Sequence, residues 1–122
     1  MKYILLINLL FGTLISQELE CEVKKKAYQG KSSSWVEVCT ISDTVLKVSL
    51  STMGSNYHTC NLEGTAIKNG QSFILKEGEC VVDLKFSDKT LNVGFQSDCR
   101  AFCGMRAWWV SGKHELYIDK DL

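Results

Sequence analysis

From Glu20 onward the chain runs in short stretches where apolar and polar residues alternate, separated by turn-forming residues. No long stretch repeats its apolar positions at helical spacing, so the pattern predicts an antiparallel all-β protein. The clearest unit is "CVVDLKFSDKTLNVGF", residues 80–95. A two-residue turn at Asp88-Lys89 sets Phe86 opposite Leu91, Leu84 opposite Val93 and Val82 opposite Phe95, with every apolar pair on one face. Asp83, Lys85, Asn92 and Gln96 fall on the other face. A slip of one residue would turn the whole apolar set to solvent, which pins the register.

The segment before it follows the same logic. Asn69-Gly70 is a tight-turn signal, and a turn centred there faces Ala66 with Phe73 and Gly64 with Leu75. On the outer side it pairs Glu63 with Lys76, an opposite-charge cross-strand contact. Cys60 shares the inner parity of Leu62 and Ala66, and Cys80 that of Val82 and Leu84. This register brings Cys60 beside Glu79, one position from Cys80, and predicts a Cys60–Cys80 bond. In "VLKVSL", Leu46, Val48 and Leu50 face inward. "SWVEVCT" admits two registers: a two-residue turn at Ser42-Asp43 buries Trp35, Glu37 and Cys39, whereas a three-residue loop buries Val36 and Val38. The pattern leaves both open. "RAWWV" and "HELYI" flank Ser111-Gly112 and read as a last hairpin. The sum is a single small antiparallel up-and-down barrel, or a strongly curved meander, of about eight strands, stapled by disulfides and filled by its own side chains.

The N-terminus changes the picture of where such a barrel works. Lys2 is followed by an apolar run from Tyr3 to Ile15, shorter than the roughly 20 residues needed to span a bilayer. Residues 1–16 read as a signal peptide, cleaved near Ser16 or Gln17, leaving 17–122 as one β domain. The bulky "QELE" before Cys21 marks that residue as an ordinary cysteine, not a lipid-attachment site. All six cysteines (Cys21, Cys39, Cys60, Cys80, Cys99 and Cys103) lie beyond the signal. An even count in a short exported chain is a disulfide framework, which places the protein in the periplasm or outside the cell. The lack of proline and of an Asn-x-Ser/Thr sequon leans toward a periplasm. Elimination and proximity pair Cys21 with Cys39, completing a sequential scheme with Cys99–Cys103. Lysine plus arginine number 14, as do aspartate plus glutamate. That balance gives no attraction to nucleic acid or, once the signal is removed, to an anionic membrane.

"SDCRAFCGMRAWW", residues 97–109, is the densest chemistry in the chain. Disulfide oxidoreductases place two residues, not three, between their cysteines at a helix start. Structural zinc needs four ligands, and the only histidines, His58 and His114, lack ligand spacing to this pair. Residues four apart share one side of a helical turn, so Cys99–Cys103 reads as a local staple holding Arg100 and Phe102 in set positions. Adjacent strand residues face opposite ways, so one of Trp108 and Trp109 is core and the other surface. Arg100, Phe102, Arg106 and Trp109 are the candidate binding residues, since arginine and tryptophan dominate interface hot spots. No Gly-x-Ser-x-Gly elbow or carboxylate pair appears, and His58 has no nucleophile partner, reading instead as a hydrogen-bonding group at a strand start. The expectation is therefore a non-enzymatic protein with no metal and no cofactor. Lys24–Lys26 reads as a solvated guard on an edge strand.

The run from His58 to Ala107, "HTCNLEGTAIKNG…ECVVDLKF…LNVGFQSDCRAFCGMRA", resembles a pattern of small exported bacterial β proteins. In these a Cys-x-x-x-Gly strand, a Cys-led strand and a Cys-x-x-Phe/Tyr-Cys-Gly loop follow one another; here the last is "CRAFCG". The nearest functional analogy is with the periplasmic lysozyme inhibitors, exported and often disulfide-bonded proteins that block a muramidase cleft with loop residues. The resemblance implies a binding or inhibitor module directed at an exported or host protein, such as a lysozyme or other cell-wall hydrolase. No inhibitory residue is carried over from that family. The alternative is a structural or envelope-stress protein.

Overall fold

The computed structural model describes Cys21 and residues 24–31, 33–53, 59–97, 99–104 and 109–121. Residues 1–16, read from sequence as a signal peptide, and His58, Arg106 and Trp108 lie outside the described residues. Eight strands follow in order: β1 (Lys24–Gln29), β2 (Trp35–Thr40), β3 (Val45–Met53), β4 (Thr59–Asn69), β5 (Ser72–Glu77), β6 (Cys80–Phe86), β7 (Thr90–Phe95) and β8 (Gly112–Asp121). Each pairs antiparallel with the next, and β8 returns to β1 to close an up-and-down barrel. Closure leaves β1 between two neighbours, so Lys24–Lys26 guard no edge. Lys25, facing outward, pairs instead with Glu37 at 3.4 Å.

Parity decides the core. Val36, Val38, Leu46, Val48, Leu50, Leu62, Ala66, Leu75, Val82, Leu84, Leu91 and Val93 are all buried on the inner face. The β6–β7 hairpin has the register its pattern dictates, with Phe86 opposite Leu91 and Val82 opposite Phe95. The β2–β3 connection is the three-residue form: Val36 faces Leu50 and Val38 faces Val48, and the Ile41 and Ser42 amides both bond to the Val45 carbonyl. Cys39 therefore points outward, yet it is buried beneath its bond to Cys21.

The β4–β5 turn departs from expectation by two positions. Ala66 faces Leu75, not Phe73, and the turn residues are Gly70 and Gln71. Gly70 has φ 65°, the left-handed value that a turn with glycine in its first central position uses. Glu63 and Lys76 consequently do not pair, and Glu77 reaches Gly64 instead. A Cβ on Gly64 would lie 2.8 Å from Leu75 Cδ1 and 2.7 Å from Glu77 Oε1, so the glycine makes room for both side chains.

The final hairpin also differs. Trp109 and Val110 are not in a strand, and Gly112, at φ 104°, opens β8. β8 instead pairs with β7, Thr90 against Glu115 and Leu91 against His114. Residues 96–111 form one long connection between those strands. It lies at the same end of the barrel as the β1–β2 and β5–β6 turns, called the stapled end below. The opposite end, the mouth, carries the β2–β3, β4–β5 and β6–β7 turns. The barrel is packed through its middle, but the mouth opens into a cavity of about 270 Å³.

Candidate binding site at the stapled end

The segment 96–111 begins as a continuation of the sheet. The Gln96 amide bonds to the Val81 carbonyl at 2.9 Å, and Ser97 Oγ accepts from the Val81 amide while donating to the Glu79 carbonyl. Gln96 also donates through Nε2 to Asp83 Oδ2 at 3.2 Å. Beyond Cys99 the chain makes a single 3-10 turn, Arg100–Phe102, and then straightens at Cys103, which has φ −113° and ψ 145°.

That conformation overturns the Cys99–Cys103 staple and, with it, the Cys60–Cys80 bond. A 3-10 turn aligns residues three apart, not four, and extended Cys103 points toward β4. The bonds formed are Cys80–Cys99 and Cys60–Cys103, alongside Cys21–Cys39. Cys103 also forms a backbone bridge to Cys60, and the Gly104 amide donates to the Thr59 carbonyl at 2.8 Å. The ladder between β4 and β5 ends at Ala66 and Leu75, so the far half of β4 has no ladder to β5. Cys103 and Gly104 meet part of that edge.

Two crosslinks to different strands thus hold residues 99–104 at the barrel end. Cys99 is buried in the core cluster, and Phe102 and Trp109 are half-buried against it. Trp109 stacks on Phe95 with centroids 5.4 Å apart, and its indole Nε1 donates to the Cys99 carbonyl at 2.8 Å. Trp109, a candidate binding residue, is thus in part an internal brace. Arg100 stands exposed between the two bonded cysteines. With Phe95, Ser97, Cys99, Trp109 and Ser111 it lines an open depression of about 770 Å³. Of the four candidate binding residues, Arg100 and Trp109 line this depression, Phe102 packs half-buried against the core cluster, and Arg106 lies outside the described residues. The depression offers a cation, hydroxyls and an aromatic edge on a pinned backbone, a chemistry suited to recognising another molecule's surface. Among the described residues no group of histidine, cysteine, aspartate or glutamate side chains is arranged to hold a metal.

Two groups escaped the sequence reading. His114 is 1 % exposed, with Nε2 2.7 Å from Ser34 Oγ and Nδ1 3.0 Å from the Gly112 carbonyl. A carbonyl only accepts, so Nδ1 carries the proton and bare Nε2 accepts from the serine hydroxyl. Burial lowers the imidazole's pKa below 6.5, against a smaller upward pull from the Gly112 carbonyl. Ser34 is itself only 4 % exposed, so the pair acts to pin the β1–β2 turn to β8. Parity with Leu116 signals that His114 faces inward, but nothing local points to Ser34. The second is the inward placement of Lys24 and Lys26, read from sequence as a solvated edge guard, which share the inner parity of Tyr28 and line the mouth cavity.

No protein-family model, no curated protein and no solved structure matches the chain. Three disulfides point to an oxidising, exported environment. Among the described residues no helix is long and apolar enough to cross a membrane.

Proposed function

We propose that the protein is a binding or inhibitor module of the periplasm or extracellular space, which presents residues 96–111 to another protein. A lysozyme or other cell-wall hydrolase is the first candidate partner. The observation that carries this reading is the double anchoring of a long connection, through Cys80–Cys99 and Cys60–Cys103, in a barrel otherwise joined largely by tight turns. Long connections without regular structure are uncommon in compact domains and are usually functional or disordered. Anchoring favours the first: a loop already fixed loses little entropy on binding, so its contacts convert more fully into affinity. Arg100, exposed beside the depression, is of the residue type that dominates hot spots.

The test is a peptidoglycan-lysis assay with a purified muramidase, paired with direct binding by surface plasmon resonance. Stoichiometric, saturable inhibition that weakens about tenfold or more in Arg100→Ala supports the reading, a loss of the size expected for one hot-spot residue. Absence of both inhibition and association rejects the hydrolase as partner. Undiminished binding by Arg100→Ala and Phe102→Ala would reject this surface.

A further inference from the structure

The mouth poses a separate question: why a barrel strand carries two lysines at inward-facing positions. Lys26 pairs in register with Val38, an inner-face residue, and the same alternation carries Lys24 and Tyr28 to that face. Inward lysines on a closed barrel displace core volume and bring charge toward a low-dielectric interior, which is unfavourable without compensation. Compensation here is partial. Lys24 Nζ lies 3.9 Å from Asp119 Oδ1, a loose and half-exposed contact, while Lys26 makes no ion pair among the described residues.

Beside the two lysines the cavity lining is largely apolar and aromatic. Tyr28, Phe73 and Phe86 meet edge to face, with centroids 5.9 Å and 5.8 Å apart along the chain of rings. Val38 and Leu46 complete the wall, and the Thr40 and Ser87 side chains line it as well. Burial, with a smaller contribution from the Asp119 carboxylate, raises the Tyr28 phenol's pKa above 10.0, so it stays a neutral hydrogen-bonding group. A cation over an apolar, aromatic-lined pocket of about 270 Å³ is complementary to a molecule with one anionic head and a short hydrocarbon body. The volume falls just under the usual range for drug-sized ligands, which limits that body to a short or medium chain.

We propose that the mouth binds a small amphiphilic carboxylate, its head held by Lys26 with Lys24 beside it and its hydrocarbon packed among Val38, Leu46, Phe73 and Phe86. Asp119 takes up part of the Lys24 charge, leaving Lys26 as the principal contact of the single anionic head. This site is at the opposite end of the barrel from the protein-binding surface and stands or falls independently of it.

Octanoate is the probe, titrated into the oxidised protein and followed by calorimetry and by aromatic NMR shifts. The expected result is saturable one-to-one binding, with shifts at Phe73 and Phe86, weakened roughly tenfold in Lys26→Gln as one charge-assisted contact is lost. Lys25→Gln is the control, since it changes the same net charge from an outward position; it should leave binding unaltered. Absence of saturable binding into the millimolar range overturns the proposal. So does equal affinity for octanol, an equal loss in Lys25→Gln, or adsorption to anionic phosphatidylglycerol vesicles without binding of free octanoate.

Discussion

His114 is the residue whose environment most directly sets a measurable property. Its ring is closed in by Gly30, where a Cβ would lie 2.6 Å from Cδ2, and both nitrogens are committed to neutral-form hydrogen bonds. The unfolded chain takes up a proton near 6.5, whereas the folded imidazole, buried, does so only at lower pH. Between those two values the unfolded state holds more protons, so acidification favours unfolding. Stability from this residue is therefore fully present above pH 6.5 and lost as the pH falls toward the folded value. The slope is at most about 1.4 kcal/mol per pH unit. Urea unfolding across that window should show the decline in the wild-type protein and its reduction in His114→Gln; an unchanged slope would mean that the ring is not buried neutral. Gly30→Ala should destabilise by about 1–3 kcal/mol, the usual cost of overpacking, because a ring between two hydrogen bonds has little freedom to retreat. None of this was legible in sequence beyond the inward parity of position 114, since Ser34 and Gly30 reach the ring through the fold and not through any local pattern.

The strands show why sequence reading succeeded for faces and failed for one offset. A one-residue slip exposes an entire apolar set, so parity was recoverable for β3, β6 and β7 from alternation alone. Alternation does not detect a two-residue slip, which preserves every face. At the β4–β5 turn the choice rested on turn chemistry, and Asn-Gly is compatible with glycine in either central position. In the fold Gly70 is the first of them, with Asn69 drawn back into the ladder opposite Ser72. The two arrangements make different demands on these residues. Gly70→Ala should cost about 1–2 kcal/mol, the penalty for holding an L side chain at left-handed φ. Asn69→Ala, at an exposed ladder position, should stay within about 0.5 kcal/mol. Comparable losses at both positions would favour the Asn69-Gly70 turn. The Cys60–Cys80 expectation failed for a different reason: either register leaves Cys60 one position from Cys80, but the β4–β5 ladder ends at Ala66 and Leu75, so Cys60 has no β5 neighbour to carry it there.

At the scale of the whole molecule two of the disulfides tie the β7–β8 connection to two different strands, β4 and β6. Cys60–Cys103 closes 43 residues and Cys80–Cys99 closes 19. Restricting the unfolded chain by these lengths stabilises by about 4 and 3 kcal/mol respectively. Sequential pairing would have spent one bridge on the few residues between Cys99 and Cys103, where closure gains least, and would have left segment 96–111 tied to the barrel only by noncovalent contacts. Peptide mapping of the oxidised protein should recover the two long-range links. The variant Cys60→Ala/Cys103→Ala then separates the roles of crosslink and core. The eight-strand register should persist, because the β3–β4 ladder holds β4 from Thr59 to Ile67 without help from the disulfide. Amide exchange should rise selectively at Gly104, whose bond to the Thr59 carbonyl is held in place by the lost bridge. Cys99 should remain protected beneath the Trp109–Phe95 stack and its own link to Cys80. Uniform acceleration across β4 and β6 would instead show that the bridge holds the barrel itself closed. Selective loosening at Gly104 would show that the barrel stands alone and that this bridge serves the segment laid across its end, the division of labour expected of a scaffold carrying a recognition surface.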